Sequence, residues 1–323
     1  CLAALKAAGP WFGYFPEPEK SFHICPAEEE EAARNAFEAM GLSVRFSRGQ
    51  RYVGGFVGAR ERLREWLGPM VREWVAAIHT LAAVAKRYPQ TAYVGLVASL
   101  QGEWQYVSRV IPHISNDLQP IEDAIRTVFI PALFGGKPVR VTDEFRQLLG
   151  NSVKKAGLGI RNAVASADRL FEASEAATAL LVDSLLNGTD LGIESHRQCV
   201  RSAAAKMRKE RLEEESCFLL ERTKRSKAER AKLESAAESG AWLTAMPRRI
   251  NGTEMSMDEF RDALRLRYDL TPLSLEPVCD GCGEKFTVQH AMSCKKGGLV
   301  SRRHEAGKQE WIALSQLAFG RSR

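Results

Sequence analysis

One short stretch near the end of the chain restricts its fold more than any other: Cys279-Asp280-Gly281-Cys282, then His290, then Cys294. These four soft ligands lie close together, whereas Cys1, Cys25, Cys199 and Cys217 are scattered. A structural zinc ion takes four tetrahedral thiolate or imidazole ligands, all supplied by protein. The first pair brackets Gly281, as a tight ligand-bearing turn requires, and Gly283 follows where a positive φ would let backbone amides face the sulfurs. His290 and Cys294 stand at i and i+4, so a helix over residues 288–294 puts both on one face. The predicted module is a knuckle and one helix closed by Zn2+ held by Cys279, Cys282, His290 and Cys294. A disulfide, or chance cysteines beside a core histidine, are the competing readings, and neither accounts for the glycines or the spacing.

A chain of 323 residues exceeds one typical core, so two or three domains are expected. No run of about 18 apolar residues occurs, which argues against a membrane span. The cysteines are odd in number and no secretory signal precedes them, which points to a reducing, intracellular compartment. The chain starts with Cys1 in what reads as helix, the pattern of a fragment. Its net charge of +6 is unevenly placed. Residues 201–232 hold eleven Lys/Arg against six Glu, and residues 295–323 hold seven against two. Such clusters suit phosphate neutralisation, although the first also reads as the solvated face of a charged helix.

The rest of the chain reads as helix with a small mixed unit in front. A helix over 1–8 stops at Gly9-Pro10, residues 20–25 alternate as a short strand, and a helix opened by glutamates runs over 27–40. Residues 42–46 and 52–57 are predicted to pair across the polar turn Ser47-Arg48-Gly49-Gln50. An amphipathic helix begins at Arg60 and should kink at Gly68-Pro69. A second runs from Pro89 to near Pro112, and a third from about 118 to 133. Trp66, Trp74 and Trp104 read as core anchors. Residues 135–138 and 156–162 read as glycine-bearing loops; the second lacks the strand and the Lys-Ser/Thr of a phosphate-cradling loop. Helix resumes over 163–186. Residues 194–238 read as a charged helix or helical pair, a linker arm, before an amphipathic helix over 257–268 and the metal module.

Taken in order, these landmarks resemble the downstream part of a reverse transcriptase of a non-LTR-type retrotransposon. Residues 13–21 (Gly-Tyr-Phe-Pro-Glu-Pro-Glu-Lys-Ser) resemble the palm segment after the catalytic Tyr-x-Asp-Asp strand. Residues 52–58 (Tyr-Val-Gly-Gly-Phe-Val-Gly) resemble the hairpin that grips the primer end. Residues 89–104 resemble the helical thumb, and 156–160 a loop after it. The segments 241–247 and 260–268, with the zinc ligands, resemble the region after the thumb, from which Arg303-His304 leads to a nuclease. The resemblance implies a mainly α fold with a small α+β unit at the N-terminus, the remnant of a polymerase palm, and a small zinc-binding module near the C-terminus. The implied divisions are 1–58 (partial palm and primer grip), 59–190 (thumb-like), 191–238 (charged linker) and 239–323 (zinc knuckle with basic tail).

On this resemblance Lys20 is a general-acid candidate, and Tyr52, Gly54 and Gly55 are primer-grip candidates. Lys295, Lys296, Arg302 and Arg303 are candidates for phosphate contact. RNA template and DNA primer or target are the implied partners, in the nucleus or a cytoplasmic ribonucleoprotein. The family's Tyr-x-Asp-Asp motif is absent from the sequence. Mg2+ catalysis is therefore expected only of an intact parent with its upstream palm and downstream endonuclease-like region, and this chain alone should be inactive. Glu305 stands where the family has Asn. The alternatives are a zinc-stabilised helical adaptor for protein partners, or a decayed copy of the element.

Overall fold

The computed structural model describes residues 2–15, 17, 20–135 and 139–320. It is 70% helix and 5% strand, so its core is built from helix against helix. The chain divides into two compact units, one ending at Glu254 and the other beginning at Met255.

The first unit opens with α1 (Leu2–Ala8), which passes into a 3-10 turn, Gly9–Phe12, where Pro10 cannot continue an α-helical ladder. β1 (Phe22–Ile24), α2 (Glu30–Ala39) and β2 (Arg45–Ser47) form a βαβ unit, with β1 and β2 parallel and Phe22 opposite Arg45. His23, Phe37 and Phe46 pack edge to face at 5.1–5.9 Å and fasten α2 to both strands. The hairpin is β3 (Gly49–Tyr52) with β4 (Gly55–Gly58), closed by Val53-Gly54. The expected pairing of residues 42–46 with 52–57 across Ser47–Gln50 therefore does not form. Ser47 Oγ donates to the Gly49 carbonyl and accepts from the Gly49 amide, which turns the chain from one sheet into the next instead of reversing it. Val53 and Gly54 both have positive φ, 46° and 78°, as a two-residue hairpin turn demands.

α3 (Arg60–Ala85) is the spine of the helical core and stays helical through Pro69. Its buried residues, Leu63, Leu67, Val71, Trp74, Ile78, Ala82 and Ala85, recur at three and four and make one stripe. Against it lies α4 (Pro89–Gly95), continued through a π-helical turn over Leu96–Leu100 into α5 (Gln101–Val110), which packs on the later helix over Ala163–Asn187. Beside them are α6 (Gln119–Ala124) and α7 (Ile130–Leu133), joined by another over Ile125–Phe129. In the second turn Ile130 donates back to the Ile125 carbonyl, and the wider ring gives Pro131 room that an α-turn would deny it. Trp74 and Trp104 are buried and meet edge to face at 6.2 Å, and Trp66 stacks on Phe56, so all three tryptophans are packing residues.

α8 (Asp143–Gly150) begins at the Thr142 cap, and α9 (Ala163–Asn187) begins at the Asn162 cap. The charged segment is a helical pair, α10 (Ile193–Thr223) and α11 (Lys227–Glu238). It is no free arm: α10 lies along α9, Arg169 pairs with Glu214, and Ser152 donates to the buried Glu215 at 2.6 Å. Residues 239–254 also belong to this unit, with Gln90 donating to the Thr253 carbonyl at 2.9 Å.

The second unit holds α12 (Met257–Arg267), α13 (Val288–Ser293) and α14 (Leu299–Phe319). Ser256 and Glu259 close a full capping box at the start of α12, whose Phe260 and Leu264 are buried. No helix among the described residues is long and apolar enough to cross a membrane.

Candidate metal centre

The knuckle is built by backbone. Val278 and Lys285 bridge antiparallel, the Cys279 amide donates to the Glu284 carbonyl at 2.8 Å, and the Gly283 amide donates to the Cys279 carbonyl at 2.8 Å. Gly283 has φ 79°, the left-handed value that closes so tight a loop. Thr287 caps α13 by accepting from the His290 amide, and the Cys294 amide donates to the His290 carbonyl, which fixes the i, i+4 pair on one face.

All four ligand atoms lie within 4.8 Å of one another. The Cys279 and Cys294 sulfurs are 3.9 Å apart, and Cys282 Sγ is 3.1 Å from His290 Nε2. A tetrahedral ion with bonds of about 2.3 Å to sulfur sets edges of roughly 3.8 Å, which the Cys279–Cys294 separation matches. Cys279 and Cys294 are buried, while Cys282 and His290 are half-buried. The cluster could hold a metal ion, and its donor set is compatible with structural zinc.

Burial pushes the Cys279 thiol up, but the Gly281 and Cys282 amides and the side chains of His290 and Cys282 outweigh it and bring it to about 7. At Cys282 the Glu284 amide favours the thiolate, yet burial and the neighbouring Cys279 and Cys294 hold the thiol above its ordinary value. The sulfurs thus share protons that a cation would displace, and metal binding here must release protons.

Around this centre the predicted basic residues differ in what they do. Lys295, Lys296 and Arg302 are exposed. Arg303 donates to the Met292 carbonyl at 2.6 Å and approaches its sulfur at 3.2 Å, so it fastens α14 to the C-terminal end of α13. α14 is exposed along its length from residue 301, including Trp311, Leu314, Leu317 and Phe319.

The remaining candidates stand in the first unit. Lys20 forms a surface ion pair with Glu17. Tyr52 is exposed, whereas Gly54 and Gly55 are packing positions: a Cβ on Gly54 would lie 3.1 Å from the Tyr106 ring, and one on Gly55 3.3 Å from Val110. Tyr106 donates to the Val53 carbonyl at 2.9 Å and holds the hairpin tip on α5.

The loop over residues 156–162 has its amides committed internally. Gly157 donates to Ser152, Leu158 and Ile160 to Leu149, Gly159 to Asn151, and Arg161 to Gln101 Oε1, at 2.8–3.2 Å. None of these amides is left to cradle a phosphate. A Cβ at Gly157 would meet the Asn151 carbonyl oxygen at 1.9 Å, so this glycine serves a close backbone approach. Arg146 supports the loop from below, donating to the Ile160 carbonyl at 2.7 Å while pairing with Glu122. Nothing in the sequence marked Arg146 and Glu122 as partners.

Fold and site together define a mostly helical protein with a three-cysteine, one-histidine centre able to hold a metal ion. No protein-family model, curated protein or solved structure matches the chain.

Proposed function

We propose that this chain is the nucleic-acid-binding downstream part of a retroelement RNA-directed DNA polymerase, lacking the catalytic Asp-Asp motif and carrying a zinc knuckle. The observation that carries the reading is the placement of exposed Lys295, Lys296 and Arg302 directly beside the convergent cysteines and histidine. A filled centre would fix the knuckle and hold these cations toward sugar-phosphate, while Arg303 keeps α14 in place. Phosphate contacts of this kind give affinity and orientation without reading sequence. RNA template and DNA primer or target are the proposed partners, and Zn2+ the proposed ion.

The test is binding of duplex and single-stranded polynucleotide by zinc-loaded protein over a range of salt. Affinity should fall steeply with salt, with a slope of about −0.7 to −0.9 per neutralised phosphate. The triple variant Lys295→Ala, Lys296→Ala, Arg302→Ala should make that slope shallower by about two. A flat salt response in the parent protein would end the proposal.

The exposed apolar side chains of α14 favour a second reading, a zinc-stabilised helical adaptor for protein partners. On that reading polynucleotide binding is absent at every salt concentration.

A further inference from the structure

α6, α8, α9 and α10 line a cleft of about 550 Å³ whose walls carry five arginines and five carboxylates. Three of them are neutralised within the fold: Arg146 by Glu122 at 2.6 Å, Arg126 by Asp143 at 2.6 Å, and Arg169 by Glu214. Arg161 is not, and Arg211 meets Glu215 only as a long ion pair at 3.6 Å. Among the described residues no carboxylate ion-pairs with the Arg161 guanidinium and no acceptor takes its hydrogen bonds, although its backbone is tied at both ends by Gln101 and Arg146. The Arg211 Nε is buried without a hydrogen-bond acceptor; its nearest carboxylate, Glu215, lies 3.6 Å away, with its other oxygen accepting from Ser152.

A half-buried cation such as Arg161, with no carboxylate partner, carries a desolvation cost that a fold ordinarily offsets, and Arg211 has that offset only in part. Burial lowers the Arg161 pKa first, and the like charges of Arg211 and Arg109 add to it, while only Glu215 opposes them. The guanidinium stays charged, because even a depressed arginine does not lose its proton near neutrality. An arriving oxyanion would meet two forks of N–H donors in a space that fits a small ligand. Val164, Leu170 and Met207 give the same cleft an apolar wall for the body of such a ligand.

We infer that this cleft binds a phosphate group, held between the Arg161 and Arg211 side chains. The site lies in the first unit and does not depend on the metal centre or on the polymerase reading. Two sources share this chemistry, a free phosphorylated small molecule and a phosphodiester of a nucleic-acid strand.

Isothermal titration of the full chain at low salt separates them, with inorganic phosphate, a nucleoside monophosphate and a dinucleotide that lacks a terminal phosphate as probes. Saturable binding of at least one probe is expected, weakened about tenfold or more by Arg161→Gln and by Arg211→Gln, with unchanged thermal melting as the folding control. Binding of phosphate and monophosphate indicates the free ligand; binding of the dinucleotide alone indicates the strand. Either variant serves if the other fails to fold. No saturable binding of any probe, or binding unaffected in a folded variant, overturns the assignment.

Discussion

Arg146 reaches Glu122 across 24 residues of chain and closes a two-point ion pair at 2.6 and 2.7 Å, with both side chains buried. Removing one partner strands the other charge, so Arg146→Met should cost about 3–5 kcal/mol in urea unfolding. Arg146→Met with Glu122→Leu should recover much of that loss. The pair was invisible in the sequence, because its partners sit on separate helices and neither interrupts an apolar stripe. Val53 makes a second point at this scale. A β-branched residue at φ 46° costs about 1 kcal/mol, so Val53→Asn, which suits a two-residue hairpin turn, should stabilise the protein by about that amount in thermal melting.

Among elements, those with a strong period were legible. α3 and α12 follow their apolar spacing, and the two cysteines with His290 and Cys294 converge as their intervals imply. The hairpin was misplaced because Ser47-Arg48-Gly49-Gln50 offers stronger turn residues than Val53-Gly54, while the contacts that set it, such as the Tyr106 bond to the Val53 carbonyl, come from distant sequence. The π-turns were missed because one extra residue barely disturbs a helical period. The α12 cap supplies a prediction. Ser256→Ala should cost about 1 kcal/mol of local stability, read by amide exchange in α12. The Ser256 amide, then its hydroxyl, hold the Glu259 carboxyl below its usual pKa. A depressed folded-state pKa means that the carboxylate's contribution is present above its ordinary value and is lost as pH falls through the lowered one.

For the molecule as a whole, the expected division at 238/239 preceded the compact boundary, because residues 239–254 carry no period of their own and are placed by bonds such as that from Gln90. The second unit buries few apolar side chains, chiefly Phe260 and Leu264 with two of the cysteines. Its order should therefore depend on whether an ion fills the centre. Chelation, or Cys282→Ser, should open residues 269–320 to limited proteolysis while residues 60–170 stay resistant. Equal resistance of both stretches after metal removal would contradict this. The segment 157–161 carries one more consequence. It belongs to no helix or strand, yet each of its five N–H groups is spoken for. In deuterium oxide these protons should outlast those at many helix ends, a slow-exchanging patch where a map of secondary structure would forecast fast labelling.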